Sequence, residues 1–142
     1  MPRSTLSLID LRLQGFSPAL SLKKIHMPQM ISYGDELIRI NFSNNHIEFS
    51  HDNGKTWLKR SSNVTQGTFK DLLEYDGCIY ACTDKGVFVS TNDGVSWQRK
   101  SSSDAARSLE ALQDGGIELL GISDDVHLYF SPNGGVSWMK RR

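Results

Sequence analysis

From residue 25 onward the chain falls into short runs rich in Val, Ile, Leu, Phe and Tyr, each closed by Asp, Asn or Gly. The middle of the chain shows it most plainly. "FKDLLEY" (69–75) ends at Asp76-Gly77, "CIYACT" (78–83) at Asp84-Lys85-Gly86, "VFVST" (87–91) at Asn92-Asp93-Gly94, and "VSWQRK" (95–100) follows. The last third repeats the sequence of events with "SLEALQ", Asp114-Gly115-Gly116, "IELLGIS", Asp124-Asp125, "VHLYFS", Asn133-Gly134-Gly135 and "VSWMKR". A looser version runs "MPQMISY", Gly34-Asp35, "ELIRINF", Asn44-Asn45, "HIEFS", Asp52-Asn53-Gly54 and "KTWLKR". Short β-rich runs with Asx-Gly punctuation predict antiparallel hairpins, because Asn, Asp and Gly tolerate the positive φ that tight hairpin turns require. No helical period is sustained. The one competing stretch is "SSDAARSLEALQ" (102–113), where Ser and Asp can cap a turn of helix ahead of Leu109 and Leu112, so a short helix or an extended lead-in strand is expected there.

The repeats can be counted on tryptophan. Trp57, Trp97 and Trp138 stand 40 and 41 residues apart, and each closes an octet: "SHDNGKTW" (50–57), "STNDGVSW" (90–97) and "SPNGGVSW" (131–138). The octet has a physical logic. The third residue (Asp52, Asn92, Asn133) can accept backbone N–H groups and close an Asx-turn. Gly54, Gly94 and Gly135 supply a positive φ. The hydroxyls of Ser50, Thr56, Ser90, Ser96, Ser131 and Ser137 can bond across the loop, and the Trp is a broad apolar plate with a single N–H. Each part serves a fold, so these residues read as structural; the His beside Asp52 is replaced by Thr91 and Pro132 in the other copies. Four strands in about 40 residues is the length of a propeller blade. The expectation is an all-β, propeller-like chain of three four-stranded antiparallel blades at about 25–66, 67–106 and 107–142, with residues 1–24 supplying one edge strand around Leu6, Leu8, Leu11 and Leu13.

The octets resemble the Asp-box, or bacterial neuraminidase repeat, Ser-x-Asp-x-Gly-x-Thr-Trp. Residues 50–57 match it in full, whereas the later two carry Asn92 or Asn133 for Asp and Ser96 or Ser137 for Thr. The frame "TDKGVFVSTNDGVSW" is similar to repeats in photosystem II assembly factors, sortilin-type receptors and some xyloglucan-cleaving enzymes. The resemblance covers residues 25 to 142 and implies a propeller whose octet loops lie away from any catalytic centre. Closed propellers need at least about four blades. Three blades with two bare faces therefore predict a two-fold dimer that completes a six-bladed ring, or else an unclosed monomer covered by its N-terminal segment or by another protein.

Composition narrows the chemistry. Sixteen basic residues balance sixteen acidic ones, so neither nucleic acid nor an anionic membrane is an expected partner. No window is apolar enough for a membrane helix, and Asp10 and Arg12 interrupt the N-terminal apolar run, which points to the cytoplasm. Cys78 and Cys82 lie about 13 Å apart along one strand at ~3.3 Å per residue, too far for a disulfide. No cofactor or metal is expected, since His26, His46, His51 and His127 lack a ligand-spaced companion. A sialidase would, by the resemblance, carry an arginine triad, a Tyr–Glu pair and an early Phe/Tyr-Arg-Ile-Pro stretch; "GFSP" (15–18) lacks the Arg, and the neighbours Glu74 and Tyr75 point to opposite strand faces. No catalytic residue is recognisable. The expected function is a non-catalytic protein-interaction or assembly scaffold, whose candidate surface comprises the loops holding Tyr33, Asp35, Glu74, Tyr75, Asp76, Gln113 and Asp114. The alternative is a carbohydrate-binding module or a relic glycosidase using the same side.

Overall fold

The structure, a computed structural model, describes residues 30–62 and 65–142. The expected strand at 1–24 and His26 lie outside the described residues. Twelve strands follow in order: β1 (Met30–Tyr33), β2 (Glu36–Asn41), β3 (His46–Ser50), β4 (Leu58–Ser62), β5 (Phe69–Tyr75), β6 (Cys78–Thr83), β7 (Gly86–Ser90), β8 (Gln98–Ser101), β9 (Leu109–Asp114), β10 (Leu119–Ser123), β11 (Leu128–Ser131) and β12 (Met139–Lys140). They form three four-stranded sheets, each a simple antiparallel meander of consecutive strands. These are blades 1, 2 and 3. The runs 69–75 and 78–83 coincide with β5 and β6.

Two details differ from the sequence pattern. The fourth strand of every blade begins after the Trp rather than before it, because the octet folds as a loop that carries the Trp outside the sheet ladder. In blade 3, β11 starts at Leu128, since Val126 adopts φ 65° and cannot extend the strand. The competing stretch resolves into both expectations: Ser103 caps a single-turn helix, α1 (Asp104–Ser108), by accepting the Ala106 N–H, and β9 follows directly.

The core lies between blades, not within them. On blade 1, Ile31, Ile38, Ile40 and Ile47 share one sheet face and pack with Phe69, Leu72, Ile79 and Ala81 of blade 2. On the opposite face of blade 2, Leu73, Tyr80, Cys82, Val87 and Val89 pack with Ala106, Leu109, Leu112, Leu119 and Trp138 of blade 3. This explains why β5 to β7 read as nearly continuous apolar runs: blade 2 is covered on both sides. The innermost strands of neighbouring blades are also stitched by polar groups. Asn45 donates to the Gly67 carbonyl and accepts the Phe69 N–H. Lys70 reaches from β5 to the carbonyls of Arg107 and Leu109 and to Glu110. A bulge between Phe69 and Asp71 turns the fully buried Asp71 toward blade 3, where its carboxylate accepts the Leu112 N–H at 2.7 Å.

Candidate functional site

The three octets share one geometry. The first Ser accepts the N–H of the glycine four residues on, at 2.8 Å in each copy, and donates to the Asx two residues on. That Asx accepts the N–H of the seventh residue at 2.9, 2.9 and 3.0 Å. Between the side chains the polarity reverses: Thr56 donates its hydroxyl to Asp52, whereas Asn92 and Asn133 donate their amides to Ser96 and Ser137. The side chains at the first, third and seventh places of each octet are thus bonded to one another and to the loop's own N–H groups.

At the third place of the octet, Asp52 is a titratable carboxylate where the other two copies carry Asn92 and Asn133. Its bonds from the Thr56 hydroxyl and N–H and from Ser50 lower its pKa to about 2. A carboxyl depressed in the folded chain stabilises the fold above its ordinary value near 4, and that contribution is lost as pH falls toward 2. Asp52→Asn, which reproduces the other two octets, is therefore expected to show a flatter decline in urea midpoint between pH 5 and about pH 2 than the parent chain. Equal slopes for the two proteins would show that Asp52 is not held in this way.

Of the predicted surface residues only Asp35 and Asp76 sit in turns, whereas Tyr33, Glu74, Tyr75, Gln113 and Asp114, expected in loops, form the ends of β1, β5 and β9 beside three turns. Gly34-Asp35 joins β1 to β2, Asp76-Gly77 joins β5 to β6, and residues 115–118 join β9 to β10. The turns lie side by side, because the Tyr33 hydroxyl donates to the Gly77 carbonyl at 2.9 Å and the Tyr75 hydroxyl to the Gly116 carbonyl at 3.1 Å. Burial, reinforced at Tyr33 by Asp93 and at Tyr75 by Asp114, raises both phenol pKa values. The two tyrosines are thus engaged as clasps between blades. Asp35, Glu74, Asp76 and Asp114 are exposed beside them, while the Gln113 Oε1 is buried without a hydrogen-bond partner. Sequence reasoning missed Ile117, 93% exposed on the third turn, because the run "IELLGIS" reads as a strand. Glu74 and Tyr75 do not form a pair: the former faces solvent and the latter packs toward Tyr80, with ring centroids 5.9 Å apart.

Other chemistry-bearing groups are occupied structurally. Ser123, Asp125 and His127 come together, but the Ser hydroxyl donates to Asp125 and the His Nδ1 lies 3.0 Å from the same carboxylate. A nucleophile has to donate to the imidazole, so this arrangement braces the β10–β11 turn and is no hydrolytic triad. Burial pushes the Cys82 thiol well above its ordinary value, and Cys78 is free. Among the described residues no group of three or more His, Cys, Asp or Glu is placed to hold a metal ion, and no helix is long and apolar enough to cross a membrane.

No family model and no curated protein sequence matches the chain. Solved structures do. An ancestral GH74 enzyme superposes on 80% of the chain with TM-score 0.61 at 16% identity. YCF48 bound to D1 peptide superposes on 80% with TM-score 0.61 at 13% identity. The fold is that of β-propeller blades. The chain spans 18% of the length of the GH74 enzyme and 40% of that of YCF48, so the likeness extends to a subset of their length. One of these neighbours is an enzyme and the other is described by a bound peptide, and at such identities the shared property is the fold alone.

Proposed function

We propose that the chain is a non-catalytic scaffold of Asp-box type that binds an extended, basic segment of another protein along its loop face. The observation that carries this reading is the continuity of that face: the Tyr33 and Tyr75 clasps tie the turns of all three blades into one surface. Its turns and the strand ends beside them carry four exposed acidic side chains, Asp35, Glu74, Asp76 and Asp114, in a chain whose charges balance as a whole. Such a surface attracts lysine- and arginine-bearing partners and raises their association rate at low salt. Ile117 adds an exposed apolar anchor at one end. The likeness to YCF48 bound to D1 peptide supports a peptide-holding role for the same fold.

A peptide array and an extract pull-down test the reading. Lysine-rich segments should be captured, with affinity falling as salt rises. A triple change, Asp35→Lys with Asp76→Lys and Asp114→Lys, should weaken capture at least about tenfold, the scale of losing roughly 1.4 kcal/mol. Capture that ignores both salt and the triple change overturns this reading. Saturable binding on a glycan array, lost on Tyr33→Ala or Tyr75→Ala, would replace it with carbohydrate recognition.

A further inference from the structure

The junction between blades 1 and 2 contains a device that recurs on blade 3. On blade 1, Arg60 holds Glu36 with two bonds of 2.6 Å, lies 3.8 Å over the ring of Phe49, and donates to the Asp93 carbonyl in the second octet at 3.1 Å. The three side chains thereby grip the octet loop of the following blade. The bond from Arg60, with His51 adding, lowers the Glu36 pKa. On blade 3 the same three places are filled in kind. Phe49 and Phe130 each precede the octet Ser, Arg60 and Arg141 each stand three residues after the octet Trp, and Glu36 and Glu118 each precede the Leu paired with that Ser. Arg141 is bonded to Glu118 and lies 4.0 Å over the ring of Phe130. Blade 2 has Val89, Lys100 and Cys78 at these places, so the device is not a general property of the repeat. Among the described residues, no octet loop lies in the grip of Arg141.

The rest of the outer face of blade 3 agrees. By strand register, the five positions of blade 1 that receive blade 2 are Ile31, Ile38, Ile40, Ile47 and Phe49, and those of blade 3 are Gln113, Leu120, Ile122, Leu128 and Phe130. Four of the five remain apolar, and Ala111 and Ile122 already form a buried nucleus there with Leu128 beside them.

Among the described residues the first octet rests on no neighbouring blade. A Cβ added at Gly94 would touch Ile47 of blade 1 at 3.4 Å, and one at Gly135 would touch Val87 of blade 2 at 3.4 Å. At Gly54 the nearest atoms belong to Trp57 and Leu37 of its own blade. Beside it Met30 is 48% exposed, whereas Leu72 and Leu112, at the same register in blades 2 and 3, are fully buried. Where blades 2 and 3 carry Ala81 with Phe88 and Gly121 with Tyr129, blade 1 carries the ion pair Arg39–Glu48, with Arg39 stacked 4.0 Å over Trp57.

We infer that the outer face of blade 3 receives the first octet loop and outer face of blade 1 of a second copy of this chain. Arg141 takes the Asn53 carbonyl as Arg60 takes that of Asp93, and the two-fold relation repeats the junction to close six blades. The closing junction lacks the tyrosine clasp, because Gly115 stands where Tyr75 does, so Arg141 and the apolar positions carry it. This pairing is independent of what the loop face binds.

Sedimentation equilibrium of the full chain tests it. The expected mass is twice the 15.9 kDa of one chain. Arg141→Glu and Met30→Glu, both at exposed positions and both checked for native circular dichroism, should each weaken the dimer at least about tenfold. Mixing the two variants should recover part of the dimer, because one junction of the mixed pair is intact. A monomer at every concentration overturns the inference, whether another protein or residues 1–29 cover the face. A dimer broken by Arg141→Glu and untouched by Met30→Glu overturns it too, since blade 3 would then pair with blade 3.

Discussion

Replacing Trp138 by alanine is expected to lower the unfolding free energy by about 3–5 kcal/mol, the range for truncating a large buried aromatic side chain. Trp138 is only 8% exposed and lies in the cluster that joins blades 2 and 3. Its indole N–H donates to the Gly135 carbonyl at 3.0 Å, and Gly121 makes room for the ring, since a Cβ there would come within 3.3 Å of it. Alanine leaves a cavity between two sheets whose backbones are fixed by their own ladders and cannot close it. Urea unfolding measures the loss. Trp57→Ala, at the same place in a half-buried octet, is expected to cost the separated chain clearly less. A loss below about 1 kcal/mol for Trp138→Ala would mean that the octet loops, and not the indole, hold the junction.

The second large effect belongs to Asp71. Asp71→Ala should cost about 3 kcal/mol, because the Leu112 N–H would lose the carboxylate oxygen that accepts it in a buried site. Asp71→Asn retains one acceptor oxygen and should lose roughly half as much. The same urea series reads both, and hydrogen exchange at Leu112 supplies a local check: its protection should fall in the alanine variant before that of Ile79 on the far side of blade 2. Unchanged protection at Leu112 would show that β9 is held without the Asp71 bond.

What was legible in the chain and what was not follows the range of the interactions. The β5 and β6 runs, the turns and the octets could be read because each depends on residues within about five of one another: Gly54 with Ser50, or Thr56 with Asp52. The Trp positions were legible as repeats but misread as strand residues, because only the folded octet shows that the loop ends beyond the indole. Tyr33 and Tyr75 were singled out as exposed aromatics, yet their hydroxyls are committed to the neighbouring blades, and neither Gly77 nor Gly116 signals that in the sequence. Nor does anything local mark Asp71 as a buried acceptor. The bulge that turns it inward exists only once β5 pairs with β6.

By itself, then, the sequence determined that this is an all-β chain of three antiparallel blades, each closed by a self-satisfied octet and a tryptophan. Those features are local, and near-neighbour hydrogen bonding and side-chain alternation are enough to specify them. Only the tertiary structure decided which faces meet, that Arg60 grips an octet 33 residues away, and that Arg141, Phe130 and Glu118 repeat the Arg60, Phe49 and Glu36 arrangement on blade 3. Sheet-to-sheet packing depends on registers and bulges that bring distant side chains to one level. No stretch of a single blade carries that information.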